Sequence, residues 1–95
     1  MDKELIQMND LPFNETSVGN NQYIREFSAD IDTHELEWHI DKEDRIIEVI
    51  ENNNWQVQLD NELPKLLKDK LFIPKETYHR VIKGYGKLIV KITKL

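Results

Sequence analysis

Short runs in which apolar and polar residues alternate, each closed by turn-forming residues, constrain this sequence more than any other feature. Alternation with a period of two places successive side chains on opposite faces of a strand, whereas a helix needs a period of about 3.6. Because turn signals recur at intervals of about 8–12 residues and helix signals are weak, the pattern predicts an all-β sandwich or barrel. The strand-like runs are residues 23–27, 36–40, 45–51, 55–59, 71–73, 79–83 and 88–92.

Turn residues indicate how neighbouring strands connect. Three asparagines at 52–54 separate the runs 45–51 and 55–59. Asparagine tolerates positive φ better than most residues, so we expect these two strands to form a hairpin. Gly84 and Gly86 mark a second predicted hairpin turn, before the last strand.

Length, charge and composition exclude several classes of protein. The 95 residues suffice for one small domain. A formal net charge of −5 argues against nucleic acid as the main partner. The absence of cysteine excludes disulfides and thiolate metal sites. No apolar run approaches the ~20 residues that span a bilayer, and the first residues lack the layout of a signal peptide, so we expect no membrane partner and a cytoplasmic protein.

The first part of the chain differs from the remainder. Residues 1–22 hold few apolar runs and are interpreted as an N-terminal arm or lead-in strand, and residues 23–95 as the barrel. Trp38 and Trp55 fall on the strand faces that would turn to the core, where we expect both to pack. His34 is interpreted as a turn residue.

A group of histidines and carboxylates carries the functional signal. Pro74 ends one apolar run and His79 opens the next, a turn that would place the imidazole at the mouth of a barrel. Glu37 and His39 are two residues apart on a predicted strand, so both leave the same face about 6–7 Å apart. Glu43 could complete a set of imidazole and carboxylate ligands, which suits a divalent ion. The same alternation also fits the solvated face of a half-buried strand.

The segment around Pro74 resembles one of the two motifs of the cupin family. That motif runs G-x5-P-x-G-x2-H-x3-N, and Pro74 and His79 have its separation. Lys68 and Glu76 stand where the motif has glycine, and Lys83 where it has asparagine.

The other cupin motif, G-x5-H-x-H-x3,4-E-x6-G, is matched in part. His39 fits its second histidine, Glu37 replaces the first, and Glu43 fits the glutamate four residues on. Measured from Asn52, which stands at the final glycine, the glutamate position falls instead on Arg45. The loop after His39 is therefore longer than the family pattern by a residue or two.

The resemblance covers roughly residues 35–92 and implies a fold and an activity. The implied fold is a single-domain cupin jelly roll, a double-stranded β-helix that commonly pairs into a homodimer. The implied cofactor is a divalent ion such as Fe, Mn, Ni or Zn, and the implied activity is oxygenase, isomerase or lyase chemistry on a small polar molecule. The residues implied in this site are His39, Glu43 and His79 as metal ligands, Glu37 as fourth ligand or general base, and Arg45 and Tyr78 as substrate contacts.

A metal-free binding module is the alternative reading of the same residues. Glu37, His39, Arg45 and His79 would then hold a small charged ligand for sensing or sequestration. The two hypotheses differ in whether Glu43 or Arg45 faces the interior of the barrel.

Overall fold

The computed structural model describes residues 13–31 and 36–95, which form β-strands joined by turns and short loops. Between these limits we find no helix, and hence none that is long and apolar enough to cross a membrane. The strands are β1 (Asn14–Gly19), β2 (Gln22–Phe27), β3 (Arg45–Glu51), β4 (Gln56–Leu59), β5 (Lys65–Leu66), β6 (Lys70–Ile73), β7 (His79–Ile82) and β8 (Leu88–Lys94).

The strands form two antiparallel sheets. The larger sheet has the order β1-β2-β8-β3-β6, and the smaller has the order β5-β4-β7. Neighbours in sequence often lie in different sheets, so the chain crosses repeatedly between them. This alternation between two facing sheets is the jelly-roll arrangement that the resemblance to cupins implied, and it confirms the all-β class that the strand pattern predicted.

The hydrophobic core lies between the sheets. Leu88, Val90 and Ile92 alternate along β8 and are 1–3% exposed, and they share the core with Val57 of the smaller sheet at 2% and with Trp55, which lies just before β4, at 0%. Burying one such side chain contributes about 1.5–3 kcal/mol. The strict period of two in β8 thus directs one whole face of a central strand into the core.

Most of the predicted strands are confirmed, but both predicted hairpins are wrong. β3 pairs with β6 and β8, whereas β4 pairs with β5 and β7. The residues between β3 and β4 turn a corner from one sheet to the other. At this corner the Asn52 amide donates to Leu67 O at 2.7 Å, and Trp55 N donates to Asn52 Oδ1 at 2.8 Å.

The connection from β7 to β8 makes a second corner of the same kind. A Cβ added at Gly84 would lie 2.0 Å from the backbone oxygen of Asn53, so the two corners are in close contact. Trp55 Nε1 donates to Gly86 O at 2.7 Å. The glycines therefore allow corner-to-corner packing rather than a tight hairpin.

The predicted strand 36–40 is reduced to one bridge, between His39 and His79. Trp38 is 42% exposed, so its predicted place in the core is wrong, whereas that of Trp55 is confirmed. In an extended segment neighbouring side chains point to opposite sides, and His39 takes the inner side. The Trp38 ring instead packs outside under the guanidinium of Arg80, 5.1 Å from its centroid.

Two further expectations concern the N-terminal region and His34. Residues 14–19 form the edge strand β1, paired with β2. Residues 1–12 and 32–35, which include His34, lie outside the described residues. The division of the chain at residue 22 stays a prediction.

Candidate metal centre

A cavity of about 300 Å³ lies between the two sheets. Its charged and imidazole-bearing wall is formed by Arg25, Glu37, His39, Asp41, Arg45 and His79. Apolar side chains from both sheets form the remaining wall. The size is at the lower end of the range for small-molecule sites, about 300–1,000 Å³.

His39 and His79 meet in this cavity because the backbone joins them directly. The N–H of each residue donates to the carbonyl oxygen of the other, both at 3.0 Å. Such a reciprocal pair places two side chains on the same face of an antiparallel ladder, with Cα atoms about 5.5 Å apart. The two ring centroids are 4.2 Å apart.

Backbone carbonyls also determine which nitrogen of each imidazole is free to bind a metal ion. Nδ1 of His39 lies 3.1 Å from Glu37 O, and Nδ1 of His79 lies 2.8 Å from Thr77 O. A carbonyl oxygen only accepts, so each contact favours the tautomer with hydrogen on Nδ1 and leaves Nε2 as an acceptor. Histidines that ligate metals are commonly oriented by such a bond on the second nitrogen.

Asp41 adds a carboxylate to the two imidazoles. One ligand atom from each of His39, Asp41 and His79 can be chosen so that all three lie within 4.8 Å of one another. Asp41 is held from two sides: its carbonyl accepts from Glu76 N at 2.7 Å, and its Oδ1 lies 3.2 Å from Arg45 Nη2. The position of the carboxylate is therefore determined by the loop and by an ion pair.

The other carboxylate oxygen of Asp41 has an unfavourable environment. Oδ2 is buried and finds no hydrogen-bond partner among the described residues. It lies 3.3 Å from Nε2 of His79, which is itself an acceptor in the favoured tautomer. Two facing acceptors repel unless a proton or a metal cation lies between them.

Burial disfavours a proton on Nε2 of His79. Desolvation by burial lowers the pKa of His79 below its ordinary value. The hydrogen bond to the Thr77 carbonyl and the charge of Asp41 oppose this shift, while His39 and Arg45 reinforce it. Neutral imidazole, the form that binds metals, is thus the favoured state of His79 at neutral pH.

The residues predicted from the sequence are brought together in part. Glu37, His39, Arg45 and His79 line the cavity. Glu43 lies outside the lining formed by the described residues, and its Oε2 pairs with Arg45 at 2.7 Å from Nη2 and 2.8 Å from Nε.

Tyr78 is also absent from that lining and is 53% exposed. Its neighbour His79 points into the cavity, so alternation along the strand turns Tyr78 outward. Its role as a substrate contact stays a prediction.

Asp41 is the member of the group that was not predicted from the sequence. The cupin spacing directed attention to Glu43, four residues after His39. Glu37, His39 and Asp41 nevertheless recur every second residue, so an extended segment places all three on one face. That periodicity is the signal that could have identified Asp41.

Comparisons with known proteins establish the fold. No family model matches the sequence, and no curated protein matches it. Protein NMB1881 from Neisseria meningitidis has a similar structure, with a TM-score of 0.59 and 14% identity over 96% of this chain and 94% of that one. KdgF from Halomonas sp. has a TM-score of 0.59 and 15% identity over 86% of this chain and 76% of that one.

A third similar structure is FeII HppE, with a TM-score of 0.65 and 12% identity over 87% of this chain. The present chain spans 50% of the length of HppE. At this level of identity the likeness concerns the fold alone. Together with the two facing antiparallel sheets, it shows that the chain has the cupin fold.

Proposed function

We propose that the chain binds one divalent metal ion through His39, Asp41 and His79, and that the ion acts on a small molecule in the cavity. The observation that carries this proposal is the buried, unpartnered Oδ2 of Asp41, 3.3 Å from Nε2 of His79. A cation bound by both atoms relieves their repulsion and satisfies the buried acceptor.

The charge balance around the cavity supports the same conclusion. Glu37, Asp41 and Glu43 bring three formal negative charges and Arg45 brings one positive charge, while the charge of Arg25 is compensated by its ion pair with Glu15. The local formal charge is therefore −2, which a divalent ion neutralises. In a partly buried site such balance matters more than on the surface, because charges there are less screened.

Iron(II) is the ion that we propose. Two histidines and one carboxylate are the ligand set typical of non-haem iron(II) oxygenases, and three protein ligands leave coordination positions open. HppE, which shares the fold, is known with FeII and with CoII. Bound here, such an ion would polarise a substrate oxygen or activate dioxygen.

Glu37 is the proposed proton acceptor. It lines the cavity beside His39, and its side chain is exposed enough to exchange protons with solvent. A carboxylate at this position can receive a proton from a substrate held against His39 and His79. Isomerisation and elimination by a lyase commonly include such a step.

Metal analysis of the untagged protein tests the proposal. Protein loaded with iron(II) without oxygen and then desalted should retain about one ion per chain. Asp41→Asn should weaken binding at least tenfold, since altering even an outer partner of a ligand costs about 10–100-fold. The matched control Glu43→Gln removes a nearby carboxylate outside the group and should stay within a few-fold of the parent protein.

Two outcomes would contradict it. Failure of iron, manganese, nickel and zinc to bind stoichiometrically would refute the metal centre. Equal losses in Asp41→Asn and Glu43→Gln would refute Asp41 as the specific ligand.

A metal-free binding module is the second candidate function. The observation in its favour is that Arg45, rather than Glu43, lines the cavity. Arg45 is already paired with two carboxylates, which weakens this candidate. It predicts that a small charged ligand binds equally well before and after chelator treatment, and that Arg45→Gln abolishes binding.

A further inference from the structure

The cavity wall beyond the proposed metal centre is apolar. The larger sheet contributes Ile47, Leu71 and Val90, and the smaller sheet contributes Val57 and Val81. Together with further aliphatic and aromatic side chains, these form two-thirds of the lining residues. The polar groups thus occupy a minority of the wall.

Hydroxyl and amide side chains are missing from this wall. Among the described residues that line the cavity there is no serine, threonine, asparagine, glutamine or tyrosine. A sugar or other polyol would bury hydroxyl groups without partners, at a cost of about 1–3 kcal/mol each. Such a wall discriminates against polyols.

The two arginines of the wall do not need a negatively charged ligand to balance their charge. Arg25 is paired through Nε with Glu15 and lies over the Phe13 ring, 4.2 Å from its centroid. Arg45 is paired with Asp41 and Glu43. Carboxylates of the chain therefore already compensate both guanidinium charges.

We propose that the cavity takes a small molecule with an apolar, uncharged body and one oxygen-bearing head group directed at His39, Asp41 and His79. Only the site of the head group rests on the proposed metal centre. The apolar body follows from the wall. A volume of about 300 Å³ corresponds to about ten water-sized groups at ~30 Å³ each, so the ligand has about ten non-hydrogen atoms.

A homologous series of straight-chain primary alcohols, from propanol to dodecanol, tests this inference. Affinity is measured by titration followed with two-dimensional amide NMR, which also reports where each alcohol binds. The dissociation constant should fall about fourfold per methylene, the factor that corresponds to ~0.8 kcal/mol per buried CH₂. The gain should stop near nine carbons, where the cavity is full. Xylitol at equal concentration should not bind.

A pair of matched substitutions tests whether the alcohol contacts the apolar wall of the cavity. Val81→Thr replaces a methyl group by a hydroxyl in the lining, and Val18→Thr makes the same change on the 50% exposed edge strand. Affinity for octanol should fall several-fold in the first variant and stay unchanged in the second. Thermal unfolding of both variants verifies that each remains folded.

The outcomes separate this inference from the proposed metal centre. If the dissociation constant depends on chain length after chelator treatment, the apolar ligand is supported. If the same protein also fails to bind any added metal, the metal centre is refuted while the apolar ligand stands. Affinity independent of chain length, equal binding of xylitol, or amide shifts confined to the outer surface would overturn the inference whether or not metal binds.

Discussion

Replacing Asp41 by Asn should stabilise the metal-free protein while weakening metal binding at least tenfold. Asp41 Oδ2 is a buried acceptor that faces another acceptor, Nε2 of His79, at 3.3 Å. The asparagine amide can donate to that nitrogen and keep its oxygen toward Arg45, whose other partner Glu43 remains 2.7 Å away. The substitution therefore converts a repulsive contact into a hydrogen bond at nearly constant shape.

The magnitude follows from the cost of the present contact. A buried polar atom without a partner costs about 1–3 kcal/mol, and part of the gain is offset by the weaker attraction of a neutral amide for Arg45. We expect a net gain of about 1 kcal/mol in the free energy of unfolding. In a domain of this size that raises the melting temperature by about 4–8 °C.

Thermal unfolding after chelation, followed by circular dichroism, measures the effect. Adding metal at about 100 times the dissociation constant of the parent should stabilise the parent protein by ~2.7 kcal/mol and Asp41→Asn, which binds at least tenfold more weakly, by ~1.4 kcal/mol or less, so the order of stability reverses. Glu43→Gln is the control, because it removes a partner of Arg45 without touching His79. A lower melting temperature for metal-free Asp41→Asn would show that the ion pair with Arg45 outweighs the repulsion, and would refute the reasoning.

Three further predictions concern pH and the core. Lowering the pH of the metal-free protein below the ordinary pKa of histidine should reduce its stability, because the folded state lowers the pKa of His79 and binds fewer protons than the unfolded state. His79→Gln should flatten this dependence in urea unfolding at several pH values. Trp55→Phe should cost about 1–3 kcal/mol in the same assay, because Gly86 O loses its donor and the smaller ring leaves space at a fully buried position. Gly84→Ala should cost about 1–3 kcal/mol or prevent folding, because its Cβ would overlap Asn53 O, and a melting temperature equal to that of the parent would contradict the close contact of the corners.

The strands of the fold were predictable because alternation is a local property. Along residues 55–59 the polarity of each residue indicates its face, so Trp55 was expected in the core and is found there. Strand partners were not predictable in the same way. The asparagines at 52–54 and the turn around Gly84 have hairpin composition, but their contacts with each other make them corners between sheets.

The residues of the proposed site also differ in whether the sequence could predict them. The sequence identified His39 and His79 as candidate ligands, and their meeting depends on one backbone bridge between segments forty residues apart. It favoured Glu43 by motif spacing, whereas the folded loop directs Glu43 to Arg45 and brings Asp41 beside the two imidazoles.

By itself the sequence determined the class of fold, the core position of Trp55 and the two candidate histidines, since each depends on residue type and short-range periodicity. Only the tertiary structure decided which strands pair, which carboxylate joins the histidines and how apolar the cavity is. These features arise from contacts between residues far apart in the chain. A local sequence pattern does not contain the free energies of such contacts.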